Sequence, residues 1–218
     1  MRVSLRRGRR SVLAGAVPVG LVLSVALTWS STHAAFSAST ANPNNSWQAG
    51  TVTLEDNDSN TALFQSSVET GLVPGSKKVR CIRIDYTGDV PADIRMYVGL
   101  PSGGVTGLDN YLVMSVERGQ TGTRSTPLLP DCTGFVENAT RTFLFNTRQA
   151  DDASADQAAT LASLRSRTDY TSGLPLSPGT PVAPNTSLTL RISYLVQNAP
   201  EAESTRSDAT FTWEARNT

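Results

Sequence analysis

Histidine is all but missing from this 218-residue sequence: its one copy, His33, falls among the first 35 residues, and the rest of the chain has none. A chain without imidazole lacks the commonest general base and the commonest transition-metal ligand. That excludes Ser-His-Asp and Cys-His catalysis and any zinc site of the HExxH kind. Lysine occurs only as Lys77 and Lys78, and Ser76 beside Lys77 makes no dyad, because neighbours along a strand point to opposite faces. CxxC, GxGxxG and phosphate-loop motifs are absent, as are internal repeats and low-complexity tracts. Paired carboxylates remain as conceivable acid-base groups, but nineteen acids scattered along a chain read as solvated surface. The expectation is therefore a protein that is not an enzyme, with no catalytic residue and no cofactor.

Charge is also scarce, at 17% of residues, and its formal net of zero hides an asymmetry. Arg2, Arg6, Arg7, Arg9 and Arg10 all lie in the first 35 residues, which hold no acid; without them fourteen basic residues face nineteen acidic ones, a net of −5. A mildly acidic remainder suits phosphate backbones poorly, so nucleic acid is not expected as a partner. What is present, 39% hydrophobic residues with 16 Gly and 12 Pro, is an ordinary globular composition that excludes collagen-like, coiled-coil and wholly disordered chains.

The leader combines its arginines with an apolar stretch over 12–29 and a small-residue exit, Ser31-Thr32-His33-Ala34-Ala35, the order of a secretory signal. Gly15, Pro18, Gly20 and Ser24 weaken the apolar run as a permanent membrane helix, the other reading of such a segment. Arg9-Arg10-Ser11-Val12-Leu13 also fits a twin-arginine signal loosely, which leaves the export route open. Cleavage between Ala35 and Phe36 divides the chain into a signal peptide (1–35), a flexible N-terminal arm that is a candidate donor strand (36–46) and a β-sandwich domain (47–218). The protein is expected outside the cell or on its surface, with membrane contact only through an uncleaved leader. In that oxidising setting Cys81 and Cys132 read as a disulfide in preference to a metal site, two buried free thiols being the alternative.

Beyond the leader, period-two patterning dominates. Leu188, Leu190, Ile192, Tyr194 and Val196 share one face of a strand over 187–196, with Thr189, Arg191, Ser193 and Leu195 on the other. Ile82, Ile84 and Tyr86 alternate with Cys81, Arg83 and Asp85, and Ile94, Met96 and Val98 with Arg95 and Tyr97. Shorter strands are expected over 51–54, 62–65, 111–117, 142–146 and 209–215, the last with Phe211 and Trp213 on one face. Turn signals separate them, among them Pro74-Gly75 and Ser177-Pro178-Gly179. Eight such strands, a sandwich's worth, predict an all-β fold packed as two sheets or as a closed barrel.

One helix is expected over 153–167, where Ala158, Leu161 and Leu164 recur at helical spacing between Asp151 and Asp152 at the start and Arg165 and Arg167 at the end. Residues 168–185, with four prolines, read as an extended crossover. Asp56-Asn57-Asp58 has the alternating oxygens of a calcium loop without its Gly and distant Glu, so Asp56 and Asp58 are a calcium candidate beside the simpler reading of an Asx turn. Trp47, Tyr97 and Tyr111 are candidates for a sugar platform or for core and rim positions. Asn138-Ala139-Thr140 is a glycosylation sequon that matters only in a host that uses it.

Several segments, read in order, resemble the TasA/camelysin family of exported bacterial proteins: Thr32-His33-Ala34-Ala35-Phe36-Ser37, then Ala49-Gly50-Thr51-Val52-Thr53-Leu54-Glu55-Asp56-Asn57-Asp58, Leu72-Val73-Pro74-Gly75-Ser76 and Phe211-Thr212-Trp213-Glu214-Ala215. The resemblance implies a single jelly-roll-like or immunoglobulin-like antiparallel β-sandwich, processing by a SipW-type signal peptidase and a mature N-terminus at Phe36. It also implies a role as a subunit of extracellular fibres in a biofilm matrix or on the cell surface. Camelysin brings a peptidase label, but this chain offers no histidine or zinc motif onto which that activity maps.

Beside the resemblance stands a physical case for assembly. Phe36, Ser37, Ala38, Ser39 and Thr40 form a small, β-permissive arm ahead of the breaker Asn42-Pro43-Asn44-Asn45. Added to a neighbour's sheet edge, the arm gains main-chain hydrogen bonds and builds an open-ended, head-to-tail polymer. The expected partners are other copies of the chain and the signal peptidase, with matrix polysaccharide or other surface proteins as further candidates. A monomeric module for a glycan or surface partner is the alternative.

Overall fold

The structure, a computed structural model, describes residues 37–41, 52–58, 61–65, 69, 71–99, 107–125 and 127–218. The signal peptide, the cleavage position Ala35/Phe36, the breaker 42–45 and Trp47 lie outside the described residues. Every described residue belongs to one compact unit, Phe36–Thr218.

Nine strands follow one another: β1 (Ser37–Ala41), β2 (Leu54–Asp56), β3 (Lys77–Tyr86), β4 (Ala92–Gly99), β5 (Leu112–Arg118), β6 (Thr142–Phe145), β7 (Leu174–Pro175), β8 (Thr186–Val196) and β9 (Thr210–Asn217). They form a four-stranded sheet in the order β1-β9-β4-β7 and a five-stranded sheet in the order β2-β3-β8-β5-β6. Every pairing is antiparallel. The fold is the expected all-β sandwich.

Alternation places the core. In β4 the side chains of Ala92, Ile94, Met96 and Val98 are fully buried, while Asp93, Arg95 and Tyr97 between them face outward. Ile82, Ile84 and Tyr86 of β3, Leu188, Leu190 and Ile192 of β8, and Trp213 and Ala215 of β9 meet them in one apolar cluster that joins the two sheets.

Four expectations are corrected. The strand over 187–196 is buried on both faces: Ser187, Thr189 and Ser193 on its outward side are as enclosed as the leucines. Loops cover that side and satisfy its hydroxyls. Ser193 Oγ accepts from Ala150 N–H at 3.1 Å, and Thr189 Oγ donates to Gln120 O at 3.0 Å.

The helix over 153–167 shrinks to one turn, α1 (Leu161–Leu164). Upstream of it, side chains take the backbone N–H groups a helix would need. Asp152 Oδ1 accepts from Ser154 N–H at 2.7 Å, and Asp156 Oδ1 from Ala158 N–H at 2.9 Å. Residues 62–65 form no strand, their carbonyl at Leu63 accepting instead from Arg80 Nε at 3.3 Å. Finally, the strand expected over 51–54 shifts toward the acidic turn, so that β2 ends on Asp56.

Candidate assembly edge

The arm sits on its own molecule. Ser37–Ala41 pairs with β9 in antiparallel register from Ser37 opposite Arg216 to Ala41 opposite Thr212. Opposite Ala38 and Thr40 stand Ala215 and Trp213, the β9 residues that enter the core. On its other side β9 is paired with β4 over its whole length, from Thr210 opposite Gly99 to Asn217 opposite Ala92. Without β1, the backbone of residues 212–216 would be an open edge.

The seat is held from both faces. Inward, Trp213 and Ala215 are at most 1% exposed. Outward, Arg216 Nε donates to Glu214 Oε1 at 2.8 Å, and Tyr97 Oη donates to Glu214 Oε2 at 3.1 Å. Burial first, and then the charge of Glu214, push the Tyr97 phenol up to about 12, which keeps it a neutral donor. The guanidinium groups of Arg95 and Arg216 lie 4.9 and 4.0 Å from the centre of the Tyr170 ring. Tyr170 Oη in turn donates to Asp93 Oδ2 at 3.0 Å. β9 is thus a rigid platform for whichever strand lies beside it.

The remaining edges are short or closed. β7 has two residues, one of them Pro175, which has no N–H to offer. β6 has four residues and pairs with β5 across a register shift at Val116/Glu117. β2 has three. Beyond β2 the edge of β3 is closed by Cys81 N–H donating to Pro130 O at 3.1 Å and Arg83 N–H donating to Asn57 Oδ1 at 2.7 Å. With five residues, β1 is the longest edge strand among those described.

The other sequence candidates are dispersed. Cys81 and Cys132 form a disulfide that ties β3 to the loop over 119–141, with Cα atoms 4.9 Å apart. Asp56 and Asp58 make an Asx-type turn in which Asp58 N–H donates to Asp56 Oδ1 at 3.4 Å. Burial above all, and then the side-chain hydrogen bond and the charge of Asp58, push the Asp56 carboxyl up to about 7 against the opposing pull of the Asp58 N–H. Among the described residues no cluster of three or more acidic, cysteine or histidine side chains is arranged to hold a metal ion. Ser76 Oγ accepts from Val73 N–H at 2.9 Å, while Lys77 pairs with Asp151 at 2.9 Å. Asn138 spends its amide inside the protein, donating to Arg118 O at 2.9 Å. Tyr97 lies on the outer face of β4, whereas Tyr111 packs against the core near β5.

Sequence reasoning marked residues 36–40 as β-permissive and missed the pairing of Ser37–Ala41 with β9. The alternation of Phe211 and Trp213 locates a strand, but alternation names faces and not neighbours. It missed too the buried cluster on the outer face of the five-stranded sheet. There Glu117, fully enclosed, accepts from Arg141 Nη2 at 2.6 Å and Arg191 Nη2 at 2.6 Å. No protein-family model and no curated protein matches this chain.

Proposed function

We propose that the protein is an exported structural subunit that polymerises outside the cell by passing its N-terminal arm to a neighbour, as the resemblance to the TasA/camelysin family implies. The observation that carries this reading is the seating of residues 37–41, a peripheral five-residue strand, on β9. The same register is available to the same residues of another copy. Exchange then replaces each main-chain hydrogen bond by an identical one, and the balance between closed monomer and open chain depends on concentration.

The arm suits exchange because its residues, Ser-Ala-Ser-Thr-Ala, are small, so little apolar surface is exposed while it moves. Removal of the leader at Ala35 would give the arm a free end and so start assembly. Electron microscopy of the cleaved protein with and without residues 36–46 tests this: filaments are expected from the longer form alone, and equal filaments from both would remove the mechanism.

A further inference from the structure

At one end of the sandwich a cavity of about 780 Å³ opens between the sheets. Leu112 and Met114 of β5, Phe211 and Trp213 of β9, and Phe64 and Leu72 from the preceding loops form its walls. That volume and that lining fall within the range of small-molecule sites. The cavity is separate in chemistry from the arm's seat, which is made of backbone.

Acidic and hydroxyl side chains share the lining with these apolar walls, and three polar groups in it have no hydrogen-bond partner among the described residues: the indole Nε1 of Trp213, Ser207 Oγ and Glu69 Oε1. All three residues line the cavity. Trp213 is 1% exposed, so its N–H has no recourse to bulk water, and buried polar groups left this way ordinarily mark a ligand or water position. Glu69 is itself fixed in place. Its Oε2 accepts from Tyr194 Oη, and Lys78 Nζ stands 3.7 Å from Oε1, near enough for an ion pair and too far for a hydrogen bond. Tyr194 is braced in turn by the edge of Phe64, with ring centres 5.4 Å apart.

We infer that this cavity binds a small, single-chain apolar molecule bearing a neutral hydroxyl group. A hydroxyl both donates and accepts, so one group can give its proton to Glu69 Oε1 and take one from Trp213 Nε1 or Ser207 Oγ. An anionic head is disfavoured, because Asp58, Glu69 and Asp208 all line the site while Arg206 is already paired with Asp208 at 2.8 Å. A cationic head would compete with Lys78 for Glu69 and would have to be desolvated.

The probes are 1-decanol, decanoate and decylammonium, titrated calorimetrically into the purified full chain below their micelle or solubility limits. 1-Decanol is expected to bind saturably with one site, and decanoate and decylammonium at least about ten-fold more weakly. Leu72→Trp, which places an indole in the cavity from a half-buried wall position, is expected to abolish the decanol isotherm while leaving the far-ultraviolet circular dichroism unchanged. It also controls for decanol taken up by the apolar leader. Glu69→Gln, which keeps the shape and loses the charge-assisted bond, should weaken binding about five-fold.

A decanol response that does not saturate, or that Leu72→Trp leaves intact, overturns the inference. So does equal or tighter binding of either charged probe. Loss of self-association in Leu72→Trp with no decanol binding to the original chain would assign the cavity to a neighbour's side chain instead.

Discussion

Asp56 carries the clearest residue-scale prediction. Its carboxyl is raised to about 7, by burial and then by Asp58, so the folded protein holds a proton there that the unfolded chain releases near the ordinary 3.8. Stability from this group is fully present below about pH 4 and is lost as pH rises through 7. Asp56→Asn keeps a neutral side chain in the turn and removes the repulsion. It should leave stability near that of the parent at about pH 3.8 and raise it by roughly 1 kcal/mol at pH 8.5, the shift being discounted for solvent screening. Urea melts at the two pH values check the difference, and a gain that is equal at both would contradict the shared-proton picture.

Glu117 runs the other way. Burial pushes its carboxyl up, but the hydrogen bonds and charges of Arg141 and Arg191 together outweigh it and hold the group below the usual range. Its contribution is present above the unfolded value of 4.5 and fades as pH falls through the lower folded one. Glu117→Ala opens a hole beside Arg191, whose side chain is 14% exposed and keeps its bond to Glu137 Oε1 at 2.6 Å, and should cost about 2–3 kcal/mol in a denaturant melt at neutral pH.

At the scale of elements, the loop over 119–141 behaves as a separate built part. The disulfide spans 51 residues of sequence, and its removal as Cys81→Ala/Cys132→Ala should lower stability by about 4 kcal/mol on the chain-entropy account. The loop is packed so closely that Gly134 has no room for a methyl group. Its φ is +92°, and a Cβ there would lie 2.1 Å from Pro127 O. Gly134→Ala should therefore destabilise by more than the roughly 1 kcal/mol of a left-handed alanine alone, measured as a lower melting temperature with the disulfide intact.

This loop also shows where legibility in the sequence stopped. Ile82, Ile94 and Leu190 announce their strands because period-two burial is written in local composition. Alternation puts Thr189, Arg191 and Ser193 on the second face of their strand but does not show that this face is covered, because the loop residues that bind them, Gln120, Glu137 and Ala150, lie more than forty positions away. The helix failed for the opposite, local reason: Asp152 reads as a favourable helix-start charge, but it and Asp156 bind the backbone two residues on themselves.

For the whole molecule, the question is how a sandwich of two open sheets limits edge-to-edge pairing. Three of its four edges rely on short strands, a proline and loop cover, and at the fourth the arm covers β9 and becomes the edge strand itself. The arm's strand-forming character was legible in Ser37-Ala38-Ser39-Thr40, but its place on β9 joins residues separated by most of the chain, and only register supplies that. Register also supplies the decisive experiment.

Ser39 stands directly opposite Glu214, so Ser39→Cys with Glu214→Cys places two thiols at the spacing of facing residues in an antiparallel pair, about 4.5–5.5 Å between Cα atoms. Oxidised in dilute solution, this pair should staple the arm to its own molecule and hold the protein monomeric. Reduction should then release assembly, while Cys81, 2% exposed, stays bridged under mild reductant. Oxidised during assembly, the same pair should instead link neighbouring copies into ladders on a non-reducing gel, because in an exchanged polymer Ser39 of one chain faces Glu214 of the next. Filaments from the stapled monomer, or oxidised filaments that run as monomers, would show that the arm stays at home and that any polymer forms through another surface.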